Sequence, residues 1–71
     1  MKTNKLIYDI GMNNGADTAY YLHRGFNVLA IEANPVLCSS ASIRFKQEIE
    51  EGRLTILNIG IAAVQGTLEF W

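Results

Sequence analysis

The sequence predicts an α/β fold, the N-terminal half of a doubly wound parallel sheet in the order strand, helix, strand, helix, strand, with one more strand near the C-terminal end. Three observations predict it. The runs Leu6–Ile10 and Phe26–Ile31 are short and mostly apolar, and Asp9 and Glu32 stand at or beside their ends; strands buried on both faces of a parallel sheet read this way. The segments between the runs carry helix-start and helix-stop residues at their ends, as crossover helices require. The cluster Asn13-Asn14-Gly15 behind the first run reads as the loop that turns strand into helix.

Leu6–Ile10 is the first strand, and a helix follows from Ala16 or Asp17 to Arg24. Asp17 places a carboxylate at its N-terminal end, Arg24 a cation at the other, and Gly25 a left-handed stop, each in accord with the helix dipole and capping. Phe26–Ile31 is the second strand. Asn34-Pro35 opens the next helix, since Asn caps free amides and Pro at the first helical position sacrifices no hydrogen bond. This helix is expected to run unbroken to about Glu51 with Gly52 as its stop, burying the stripe Leu37, Ala41, Phe45 and Ile49. Arg53–Asn58 is the third strand. Residues 59–66 read mostly as loop, Gln65-Gly66 as a turn, and Thr67–Trp71 as an alternating strand.

Right-handed crossovers give a sheet ordered 3-2-1. Residues 1–71 are thus expected to form one partial domain that ends before a fourth strand on the far side of the first, so the chain reads as truncated. Phe70 and Trp71 would then form an exposed apolar patch, and the open sheet edge would favour a homo-oligomer.

Composition narrows the function classes. Six basic against seven acidic residues, net charge −1, leave no basic stripe for nucleic acid. The apolar run after Lys5 is interrupted by Asp9, too early for a signal-peptide core, and no run is long enough to span a bilayer. Cys38, the single cysteine, has no disulfide partner in the chain, and no Cys/His cluster has metal-ligand spacing. A cytoplasmic protein with a small-molecule ligand is the expectation.

The ligand is read from the loop. A dinucleotide fold uses Gly-x-Gly-x-x-Gly/Ala, whose middle glycine lets a pyrophosphate approach bare backbone. In that frame this chain presents Gly11, Asn13 and Ala16, and Asp17 adds negative charge where a phosphate needs positive potential. S-adenosyl-L-methionine carries no phosphate. Asp9 can attract the ammonium of its methionine tail, amides around Gly11–Gly15 can face its carboxylate, and Glu32 can accept from both ribose hydroxyls.

Asp9-Ile10-Gly11-Met12-Asn13-Asn14-Gly15, Val28-Leu29-Ala30-Ile31-Glu32-Ala33-Asn34-Pro35 and Asn58-Ile59-Gly60-Ile61-Ala62-Ala63 with Gly66 together resemble the N-terminal part of the FkbM-type S-adenosylmethionine-dependent methyltransferases. An Asp-x-Gly-x-Asn-x-Gly loop and a Glu-x-Asn-Pro turn are typical of that family. The resemblance implies a Rossmann-like class I methyltransferase fold and methyl transfer, most naturally to a hydroxyl oxygen of a small molecule or sugar. The cofactor-binding residues are then expected to be Asp9, Gly11, Asn13, Asn14, Gly15, Glu32, Ala33, Asn34, Asn58 and Ile59, with no metal. The residues leave open an NAD(P)-binding oxidoreductase half-domain and a non-catalytic remnant of the same fold.

Each residue also has a plainer reading. Asp9 can cap loop amides, the two glycines can be ordinary turn residues, and Asn34-Pro35 can be only a helix start. His23 reads as a surface residue, Cys38 as a small core residue, and Tyr20, Tyr21 and Leu22 as helix packing.

Overall fold

The computed structural model describes residues 5–60. Within them the chain runs β1 (Leu6–Ile10), α1 (Ala16–His23), β2 (Asn27–Ile31), α2 (Pro35–Arg44), α3 (Lys46–Glu50) and β3 (Leu54–Leu57). The strands make one parallel sheet with β2 in the centre, the 3-2-1 order expected from the sequence. Gln65-Gly66, Thr67–Trp71 and the Phe70-Trp71 patch lie outside the described residues.

Strand alternation divides the sheet into two faces. Register aligns Ile7, Val28 and Leu54 in one row and Asp9, Ala30 and Ile56 in the next. This face meets the helices: Val28, Ala30 and Leu54 are buried in one cluster with Met12, Leu22, Ala41 and Phe45. Met12 comes from the loop after β1, so the loop is anchored by its own apolar plug. The opposite rows hold Tyr8, Leu29 and Thr55, then Ile10, Ile31 and Leu57; Tyr8, Ile10 and Leu57 are exposed.

The helix ends follow their local chemistry. Asn34 Oδ1 accepts from the amides of Val36 (2.9 Å) and Leu37 (3.4 Å), with Pro35 at the first helical position. Gly25 (φ 90°) and Gly52 (φ 78°) stop the helices before β2 and β3. Phe26 lies outside β2 because its amide closes the end of α1 on Tyr21 O, 3.0 Å away. Arg53, placed by sequence in the third strand, instead sends its guanidinium back to Leu22 O (2.7 Å) and Phe26 O (3.1 Å), locking the end of α1 to the start of β3.

The single helix expected from Pro35 to Glu51 is divided at Phe45, whose φ of −106° and ψ of 27° leave the helical region. Backbone bonds continue on either side, from Phe45 N to Ala41 O and from Ile49 N to Phe45 O. The ring is buried against the α1 N-terminus. Within the anticipated stripe Ala41 and Phe45 are buried and Ile49 packs against the core, whereas Cys38 is more buried than Leu37. Tyr21 and Leu22 pack as expected, but Tyr20 is exposed and holds Arg24 by a hydrogen bond from Nη1 (2.9 Å). A tyrosine beside a cation four residues on is better satisfied at the surface than in the core.

Candidate functional site

The loop between β1 and α1 leaves the C-terminal edge of the sheet, where open α/β sheets bind ligands. Its path needs three positive-φ residues: Gly11 (75°), Asn13 (55°) and Gly15 (84°). Asn is among the few side-chain-bearing residues that adopt this region readily. A Cβ at Gly11 would meet nothing within 4 Å, so the backbone there borders open space. A Cβ at Gly15 would lie 3.1 Å from Phe45 Cε2. Gly15 therefore permits close packing, while Gly11 keeps its surroundings clear.

Most loop amides already have acceptors. Gly11 N and Met12 N donate to Ile31 O at 2.8 and 3.1 Å, and Gly15 N donates to Met12 O at 3.1 Å. Ala16 N donates to Asn14 Oδ1 at 3.1 Å. The amides of Asn14, Asp17 and Thr18 have no acceptor among the described residues. With Thr18 fully buried, donors for an anionic group thus come from Asn14 and Asp17, rather than from the whole Gly11–Gly15 stretch. The reason is that an amide held against the sheet edge must be satisfied there.

Glu32 is the keystone of the edge. It is buried, and its two carboxylate oxygens accept from different segments: Oε1 from Asn13 N (2.8 Å) and Oε2 from Asn34 N (3.0 Å). The hydrogen bonds from Asn34 and Asn13, in that order, hold its pKa below the ordinary 4.5, outweighing the opposing effect of burial. One carboxylate therefore ties the glycine loop to the start of α2. Each oxygen has a second lone pair, so the diol contacts expected from the sequence remain compatible with these bonds. Sequence position suggested the ligand role; the latch across 19 residues did not show there.

Asn58 joins the same edge, donating through Nδ2 to Glu32 O and Ala33 O, both at 2.9 Å. Its Oδ1 accepts nothing among the described residues and keeps its acceptor capacity. Ile59 is exposed beyond it. Cys38 Sγ donates to Glu32 O at 3.3 Å; burial and the Glu32 charge raise its pKa, keeping it a protonated donor. It is the buried core residue expected, and His23 is exposed on α1.

Asp9 lies on the helix-side face of β1, 9% exposed. Its Oδ2 accepts from Thr18 Oγ1 at 2.6 Å, and Thr18 is fully buried. Oδ1 accepts no hydrogen bond among the described residues. The one sealed side-chain polar atom without a partner among those residues is Arg53 Nε. Sequence reasoning missed Thr18; its signal was a β-branched hydroxyl residue one turn before Leu22 on the buried helix face.

The edge thus gathers Asp9, Gly11, Asn13, Asn14, Gly15, Glu32, Ala33, Asn34 and Asn58 around one rim, with Ile59 at its margin. It offers two carboxylates, few free amides and a cleared space at Gly11. The rim is anionic, and the backbone at Gly11 has open space beside it. Among the described residues no group of three or more His, Cys, Asp and Glu could hold a metal ion, and no helix is long and apolar enough to cross a membrane. Comparison with protein-family models, curated proteins and solved structures finds no significant match to this chain.

Proposed function

We propose that this chain is the cofactor-binding part of an S-adenosylmethionine-dependent methyltransferase of the FkbM type, with a Rossmann-like class I fold. The observation that carries the reading is the state of the loop donors: Gly11, Met12, Asn13 and Gly15 all spend their amides within the protein, and the Asn13 amide is held by a carboxylate. With those amides committed, a pyrophosphate would be left to the first turn of α1, where it would meet the Asn13 side chain at the position of the middle glycine and the Asp17 carboxylate. A ligand with a positive tail and a ribose diol meets neither obstacle.

In this reading Asp9 Oδ1 holds the tail ammonium, and the amides of Asn14 and the first turn of α1 face the tail carboxylate. Glu32 accepts from the ribose hydroxyls while keeping the loop closed. Gly11 leaves room for the ligand to lie against backbone, and Ala33, Asn34, Asn58 and Ile59 border the nucleoside. When bound, the cofactor supplies a sulfonium methyl group for transfer to a nucleophile, which we assign as a hydroxyl oxygen of a small molecule or sugar. The contribution of these residues is positioning and the exclusion of water from the tail.

Calorimetric titration with S-adenosylhomocysteine tests the proposal. Binding is expected, and Asp9→Ala is expected to weaken it about tenfold to a hundredfold, the range for a hydrogen bond between charged groups. Glu32→Ala is expected to weaken it as well, through both lost hydroxyl acceptors and an untied loop. Binding that neither variant changes would overturn the site; binding of NADH in its place would move the chain to the oxidoreductases.

A further inference from the structure

Thr18 sits where a side chain usually contributes only packing, yet it is a polar residue with no solvent exposure whose hydroxyl is committed to one oxygen of Asp9. A carboxylate on a strand end can rotate about its last torsion and offer either oxygen. The 2.6 Å bond from Thr18 removes that freedom, occupying Oδ2 and leaving Oδ1 without a hydrogen-bond partner among the described residues. The β-branched side chain is itself restricted in the helix, so the donor is held in place as well. The pairing spans the strand, the loop and the first turn of α1, nine positions apart.

Resting on the methyltransferase reading, we propose that Thr18 is a positioning residue that sets the preference of the site for an amine-bearing ligand tail: by fixing Oδ2 of Asp9, it aims Oδ1 at the ammonium. The Asp9 carboxylate touches the ligand; Thr18 acts through it. The chemical class selected is an adenosyl thioether or sulfonium bearing an α-amino acid, over the same nucleoside whose tail lacks the amine.

The test is a ratio of affinities. S-adenosylhomocysteine and its deaminated analogue share nucleoside, thioether and tail carboxylate, so the ratio of their dissociation constants reads the ammonium contact alone. A fall in the folded fraction weakens both ligands by the same factor and cancels in the ratio. Thr18→Val, which keeps the shape and removes the hydroxyl, is expected to lower the preference about tenfold, and Thr18→Ser to keep it within about twofold of wild type. A preference unchanged in Thr18→Val, or lost equally in Thr18→Ser, would overturn the role of Thr18 while leaving the cofactor assignment intact. A wild-type chain that binds neither ligand would overturn the assignment and this inference with it.

Discussion

Two positive-φ glycines in nearly the same conformation but different surroundings allow backbone strain to be separated from packing. Gly15 (φ 84°) would place a Cβ 3.1 Å from the ring of Phe45, whereas Gly52 (φ 78°) would place one in open space. An L-residue in this region costs about 1–2 kcal/mol, and restricting the unfolded chain returns about 0.4–1 kcal/mol. Gly52→Ala is therefore expected to destabilise by about 1 kcal/mol, which lowers the melting temperature of a chain this size by about 4–8 °C. Gly15→Ala carries the same strain plus a 3.1 Å contact, tighter than most real Cβ contacts, that the ring must relieve by a few tenths of an ångström. The Phe45 ring is buried and carries the Arg44 guanidinium 4.8 Å from its centroid, so it has little room to withdraw. Overpacking of a filled site costs about 1–3 kcal/mol, giving about 2–4 kcal/mol in all. Urea unfolding of both single variants, and of Gly15→Ala in a Phe45→Leu background, measures the difference. The smaller side chain is expected to bring the Gly15→Ala penalty down to that of Gly52→Ala. Equal penalties in the two single variants, or a Gly15→Ala penalty indifferent to residue 45, would refute the packing of the α1 start on Phe45.

The Glu32 latch has a signed pH dependence. Because its pKa is lowered on folding, its contribution is present above the ordinary value of 4.5 and is lost as pH falls from there through the folded value. The stability difference between wild type and Glu32→Gln should accordingly hold steady above pH 4.5 and shrink below it, in denaturant melts across that range; a difference that grows in acid would contradict the latch. Asn34→Ala removes the acceptor for two amides of α2 and is expected to cost about 1 kcal/mol, seen as a lower melting temperature with the strand signal retained. Arg53→Met leaves Leu22 O and Phe26 O without their shared donor; a loss of about 1–3 kcal/mol and faster hydrogen exchange at the end of α1 are expected, and unchanged exchange there would remove the clamp.

Much of the rim could be read locally. The strand ends at Asp9 and Glu32, the glycine loop, the Asn34-Pro35 cap and the stops at Gly25 and Gly52 each depend on a few adjacent residues, and each stands where sequence placed it. Phe45 did not read this way, because whether a periodic helix bends at one aromatic ring depends on what faces it, here Gly15 from a segment 30 positions earlier. Arg53 read as a strand residue for the same reason: its acceptors are carbonyls at the far end of another helix.

The fold class, the strand order and the chemical types gathered at the sheet edge follow from short-range patterns, since apolar runs, caps and turn residues act within a few positions along the chain. Which groups remain available to a ligand was settled only when the chain closed on itself. Folding spent the amides of Gly11, Met12, Asn13 and Gly15 on acceptors in or near the loop and on β2, set Thr18 beneath Asp9, and gave Glu32 two amides to hold. Hydrogen-bond satisfaction across distant segments is a property of three-dimensional proximity, and it turned a glycine loop into an anionic rim in which one oxygen of Asp9 is committed to Thr18.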